Sequence, residues 1–296
     1  MSPSSNSEFS LLLWAMGAVV ALLAAYLFVG WLRRTQGQTG WRQVLGPVLL
    51  AASALGVGMT SAMVLAMSAE GLAFLLGYRW LALPALVLGP VIACLPAAWW
   101  LSRKQNWLAL VGSGLMLAAV AVAVQVGWIL AAGLRPGIKW QFELLGAAAT
   151  LATAGFIAAL WLAFSDASSG GARKTLWRVG AAALMTLTLI AGQEVVASSA
   201  GLLAQVGSVY QREAAATWLC LVAGAVVPTI LAVLALDLSL RNRGHRRSSS
   251  RSGGSGGGGG SGSSSSSSSG GGGGGGGGVE LNQPKRRKRR RKYRAL

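Results

Sequence analysis

The sequence predicts an all-α polytopic membrane protein. Its seven transmembrane helices form three two-helix repeats plus one, with the N-terminus outside and the C-terminus in the cytoplasm. Three observations predict this class. Charged residues make up only 11% of the 296 and hydrophobic residues 53%, with a mean hydropathy of +0.54, whereas soluble domains carry about 25% charged residues. Seven apolar stretches reach the ~20 residues that a helix needs to cross a bilayer core. Lysine and arginine gather in alternate linkers, the bias that sets membrane orientation.

The elements follow in order. Residues 1–9 are polar and lack the positive leading region of a cleaved signal peptide. The run from Leu11 to Leu32 is therefore expected to stay as a first helix. The spans fall at roughly 10–32, 44–67, 79–101, 107–132, 141–164, 178–201 and 216–238. The far end of the sixth is blurred by a polar-leaning segment that reaches Gln211.

Arg33, Arg34 and Arg42 follow the first span, Arg103 and Lys104 the third, and Arg173, Lys174 and Arg178 the fifth. The alternate linkers hold Arg79, then Arg135 and Lys139, then Arg212. The richer set is expected in the cytoplasm. Pro96 and Pro228, inside the third and seventh spans, are expected to kink them.

The net charge of +18 is uneven. Residues 241–296 hold 14 Lys/Arg and one acid, Glu280, whereas residues 1–240 hold 12 basic and 7 acidic residues. Basicity is thus a property of the tail. The organisation is a polar N-terminus (1–9), a membrane domain (10–240), a basic then Gly/Ser-rich linker (241–278) and a polybasic tail (279–296). Cys94 and Cys220 lie in apolar runs without metal-type spacing, and read as buried thiols.

The membrane domain repeats internally. A helix ends in an Ala-Ala and aromatic cluster, a basic loop follows, and a Trp opens the next helix: "AAYLFVGWLRRTQGQTGW", "AAWWLSRKQNW" and "AALWLAFSDASSGGARKTLW". The opening residues Trp41, Trp107 and Trp177 are 66 and 70 apart. Near-constant spacing of matching contexts points to duplication, and Trp anchors a membrane interface. Met59 and Thr60 lie 18 and 19 residues after Trp41, Val124 and Gln125 lie 17 and 18 after Trp107, and Gln193 and Glu194 lie 16 and 17 after Trp177. At a rise of 1.5 Å per residue, all six share a level roughly 25 Å above the inner interface. If the even-numbered helices cluster, these residues converge on one pocket in the outer third of the membrane.

This pattern resembles the MHYT domain, a bacterial integral membrane sensor with seven helices and three Met-His-Tyr-Thr-Gly-Met motifs on alternate helices. "AGQEVVASSA" resembles its third motif and puts Gln193 at the Met place and Glu194 at the His place. "GVGMTSAMV" keeps Met59 and has Thr60 for His, and in "AVAVQVGWI" either Gln125 or Val124 takes that place. The resemblance implies a copper site built from His and Met. Every motif histidine is replaced here, because the one histidine of the chain is His245 in the tail.

The candidate ligand-binding residues are therefore Met59, Thr60, Met63, Gln125, Gln193 and Glu194. Intramembrane acids usually face a bundle interior or cavity. Glu194 is expected either to line the pocket or to sit protonated, or snorkelling, near the outer interface. Met59, Met63 and Met67 form one helical stripe; thioethers suit Cu(I), and they also fill gaps in apolar packing.

In the tail, the candidates for lipid or partner binding are Arg241, Arg243, Arg246 and Arg247 beside the last helix. Lys285, Arg286, Arg287, Lys288, Arg289, Arg290, Arg291, Lys292 and Arg294 join them at the end. Such clusters attract anionic lipid at about 1 kcal/mol per charge. An acidic signalling partner or nucleic acid has complementary charge too.

No nucleophile–base pair, phosphate-cradling loop or zinc spacing is visible, so an enzyme is not expected. The combined reading is a sensory or regulatory module of the cell membrane, with a degenerate ligand or metal pocket near the outer face, signalling through a partner or its tail. The alternative is a structural or scaffold membrane protein with a decayed pocket and a lipid- or partner-binding tail. A small transporter is disfavoured, since no paired intramembrane charges or broken half-helices occur at mid-membrane.

Overall fold

The computed structural model describes residues 10–36, 38, 40–70, 72, 74, 76–104, 106–165, 171–201, 207–210 and 214–238. The chain divides into two units, Met1–Ser249 and Ser250–Leu296. The second unit lies wholly outside the described residues, as do the polar N-terminus, Arg212 and every basic residue of the tail.

Among the described residues, seven helices are long and apolar enough to cross a membrane, so the protein is an all-α multi-pass membrane protein. They are α1 (Leu11–Arg34), α2 (Trp41–Ala69), α3 (Leu83–Arg103), α4 (Trp107–Ala131), α5 (Phe142–Ser165), α6 (Gly171–Ala200) and a seventh span, α7, over Thr217–Leu238. Local chemistry sets their ends. Ser10 Oγ accepts from the Leu13 N–H at the start of α1, and Asn106 Oδ1 from the Ala109 N–H at the start of α4, satisfying donors that a helix leaves open. A 3-10 turn (Trp80–Ala82) leads into α3. The blurred end of the sixth span resolves at Gly201, whose φ of +60° is the left-handed conformation that stops a helix.

In α7, the α-helical residues Ala216–Leu221 give way to a π-helical turn, Val222–Val226, before the helix resumes through Leu238. The expected effect of Pro228 takes this form. A proline lacks the N–H and its ring collides with the carbonyl four residues back, here that of Gly224, and a wider turn removes that collision.

The first six helices close into a ring in which each packs on its sequence neighbours and α6 packs on α1. Further contacts cross the ring from α4 to α2 and to α6, and α7 lies outside it against α1 and α2. Burial follows this plan: within the apolar 18-residue stretch of each helix, 78% of the α2 residues are buried inside the protein and 11% of the α7 residues. The apolar residues turned outward, Leu88, Ile92, Leu115 and Leu187 among them, suit hydrocarbon as solvent.

The backbones come closest around α2. At Gly56 an added Cβ would lie 2.6 Å from the backbone nitrogen of Val91 on α3, and at Gly58 it would collide with Ala24 on α1. Small residues at such crossings let helices pack by dispersion where lipid supplies no hydrophobic drive.

The two ends of the bundle differ. At one end, Arg33 donates from Nε (2.7 Å) and from Nη2 to the carbonyl of Ala163, tying α1 to the last turn of α5. At the other, two short antiparallel strand pairs knit the loops, elements for which the sequence gives no sign. Gly77–Tyr78 pairs with Ala214–Ala215, and Leu134–Arg135 with Gly207–Ser208. Ser208 Oγ lies 2.6 Å from the Ala132 carbonyl and 3.2 Å from that of Gly77. Its single hydroxyl hydrogen serves one of them at a time. Beneath the strands, Tyr78 and Trp128 are fully buried and meet edge to face at 5.0 Å.

Candidate functional site

The six candidate ligand-binding residues come from α2, α4 and α6, and four of them do meet. Met59 and Met63 from α2, Gln125 from α4 and Gln193 from α6 line one small void of about 10 Å³, together with Ala121, Val124 and Leu189. A void of that size is at the threshold for one water molecule. All four side chains are buried, at 2 to 8% exposure.

The geometry follows from helical spacing. Met59 and Met63 are four residues apart on α2, so both face the same way. Leu189 stands one turn before Gln193 on α6. Its carbonyl accepts a 3.3 Å hydrogen bond from Gln125 Nε2, linking α4 to α6. The other amide atom, Gln125 Oε1, is buried without a hydrogen-bond partner among the described residues. An unmet buried acceptor costs about 1–3 kcal/mol.

Thr60 and Glu194 do not join them, contrary to the expectation from shared depth. Thr60 is buried, but its hydroxyl donates to the Gly56 carbonyl of its own helix at 2.7 Å. Glu194 is exposed on the outer side of α6. Depth along a helix is legible from spacing, whereas azimuth is not: residue 194 stands about 100° round the helix from 193. Of the two readings kept open for Glu194, lining the pocket is therefore the one the structure overturns. Its charge is felt instead by Glu70, which caps the C-terminal end of α2. Burial raises the Glu70 carboxyl above its ordinary value, and the negative charge of Glu194 adds to the effect. Met67, the third of the methionine stripe, lies past the void, where its sulfur accepts from the Tyr78 hydroxyl at 3.7 Å.

The pocket does not fit copper as the MHYT resemblance implies it. Two thioethers and two neutral amides offer no imidazole or thiolate. Among the described residues no group of three His, Cys, Asp or Glu comes together. Cys94 is buried as expected, whereas Cys220 is only partly buried and its sulfur pairs with the Ser68 hydroxyl at 2.8 Å.

Sequence reasoning misses a second polar locus, at the arginine-bearing end. Arg178 on α6 lays its guanidinium 4.6 Å from the Tyr26 ring centre on α1, a cation–π contact that strengthens on desolvation. Its Nε and Nη2 are buried and lack hydrogen-bond partners among the described residues. Gly30, one turn beyond Tyr26, makes the room: an added Cβ there would strike Arg178 Nη2 and Leu238. A signal for this locus exists in the sequence. Arg178 follows Trp177, the residue that opens the repeat, and so stands on the helix rather than in the linker.

Fold and site together define a seven-span helical membrane protein with a closed six-helix core and a water-sized Gln–Met pocket inside it. Comparison with family models, curated proteins and solved structures finds no match to the chain.

Proposed function

We propose that the chain is a membrane-embedded sensory or regulatory module whose sensing element is the Gln125–Gln193 pocket. One observation carries the reading: Gln125, whose buried amide oxygen is unpartnered among the described residues, lines a small void where three helices of similar sequence pattern meet. Groups at such a junction respond together when its contents change. The lining groups are neutral, so the occupant is a single species of water's size that carries one positive charge: ammonium or a small alkali cation. Occupancy can bias the bundle only through unequal affinity for two packings of the helices. The basic tail and the cytoplasmic end then serve as the output, toward anionic lipid or an acidic partner, consistent with an N-terminus outside and a cell-membrane location.

The water-sized void and the outward position of Glu194 favour a second reading, a scaffold protein in which the pocket is residual. Thermal melts of purified protein with ammonium, sodium or potassium separate the two. A ligand at a hundred times its Kd stabilises by about 2.7 kcal/mol, so a sensor should melt several degrees higher in one of these salts. Gln125→Leu should abolish that shift without loss of basal stability, because it removes the unmet acceptor along with one hydrogen bond. Melts that no ion moves, in either protein, would leave the scaffold reading standing.

A further inference from the structure

We propose that a groove between α3 and α4, separate from the Gln125 pocket, is a binding site for one anionic phospholipid, in the leaflet that faces the strand-bearing end. The groove has a volume of about 330 Å³, and its walls include Ala82 from the 3-10 turn, Ala85 and Leu86 from α3 and Gly127 from α4. Arg79 and Tyr210 stand at its mouth. The size is that of a ligand pocket, and the lining is apolar except at one end.

Depth identifies the occupant. Trp80, next to Arg79, is 65% exposed, and an outward Trp beside a helix start marks the headgroup level of a bilayer. The groove runs from there along the eight residues from Arg79 to Leu86, and so descends roughly 10 Å over seven steps of helical rise, into the region of acyl chains. A molecule that fits has a negative head at Arg79 and Tyr210 and a hydrocarbon chain below. Small side chains make the recess: Ala82 and Ala85 on one wall, and on the other Gly127, where an added Cβ would lie 3.0 Å from Leu86.

The mouth is built rather than loose. The Arg79 N–H donates to the Ala131 carbonyl at the end of α4 at 3.3 Å, and the Val209 N–H to the Gly133 carbonyl at 3.0 Å. These bonds hold the backbones of Arg79 and Tyr210 on either side of the groove. A basic side chain in a pocket between membrane helices recognises an anionic headgroup, whereas a zwitterionic headgroup gains less from the same cation.

The test is site-resolved photocrosslinking on the full chain in vesicles, which keeps lipid at the basic tail apart from lipid in the groove. Phosphatidylglycerol and phosphatidylcholine probes carry a diazirine high on one acyl chain, and the labelled peptides are mapped by mass spectrometry. Labelling is expected on residues 82–86 and 127–131, several-fold above the outward face of α4 at Leu108 and Leu115, and stronger with phosphatidylglycerol. Arg79→Gln should bring the phosphatidylglycerol yield down to that of phosphatidylcholine. Ala85→Phe, which fills the recess from an exposed position, should lower both. Equal labelling of groove and open helix face, or yields unchanged by Ala85→Phe, would overturn the site. A phosphatidylglycerol preference that survives Arg79→Gln would overturn the headgroup assignment.

Discussion

Gly56→Ala is expected to destabilise the bundle by about 3 kcal/mol, at the upper end of overpacking effects. The new methyl carbon would sit 2.6 Å from the backbone nitrogen of Val91 and 2.7 Å from its Cα. Backbone cannot rotate away as a side-chain tip can, so α2 and α3 must separate along their crossing. Separation also strains the Gly56 carbonyl that accepts from Thr60. Because α2 is the most buried of the seven spans, the displacement is passed to α1 on its far side. Reversible unfolding of the protein in mixed micelles measures the loss. Gly46 supplies the control, since a methyl carbon added there would meet no described atom within 4 Å. Gly46→Ala is expected to be neutral or slightly stabilising, as alanine is the better helix former.

Trp128→Ala should cost a similar amount, about 3 kcal/mol, the lower end of the range for emptying a buried Trp. The lower end applies because an unfolded helix in lipid already keeps the indole out of water, so the loss is one of dispersion and shape. Trp128 is 1% exposed and holds the Tyr78 ring edge to face. Tyr78 in turn lies on the strand pair with Ala214. The damage is therefore expected to concentrate at the strand-bearing end, where hydrogen exchange of residues 76–79 should rise while the arginine-bearing end stays protected. Trp128→Phe discriminates packing from polarity. The indole Nε1 is buried without a partner among the described residues, so phenylalanine removes an unmet donor while keeping a ring, and should cost less than half as much as alanine.

The number, type and approximate bounds of the membrane helices are legible in the sequence because hydrocarbon imposes one rule on every span: about 20 apolar residues with internally satisfied backbone. The pocket is legible in level, because equal distances from Trp41, Trp107 and Trp177 translate directly into equal rise. It is not legible in rotation. Gln193 and Glu194 are neighbours in the chain, and only the packing of α6 on α5 and α1 decides that the amide turns inward and the acid outward. The strand pairs escape notice because two-residue strands have no periodicity to read. Their partners, such as Tyr78 and Ala214, lie far apart in sequence. Leu189 is hidden for another reason: it contributes a backbone carbonyl, and any residue there would offer one.

The closure of the six-helix ring has a topological consequence. Each of the first six spans reverses the direction of the one before, so α1 begins and α6 ends at the same face of the bundle, on helices that touch. Leu11 and Ala200 are thus the two ends of an even-numbered circle, and the core is in principle indifferent to where that circle is cut. The seventh span breaks this equivalence. By adding one more crossing without joining the ring, it carries the chain to the opposite face and gives an otherwise permutable circle a fixed beginning and a fixed exit.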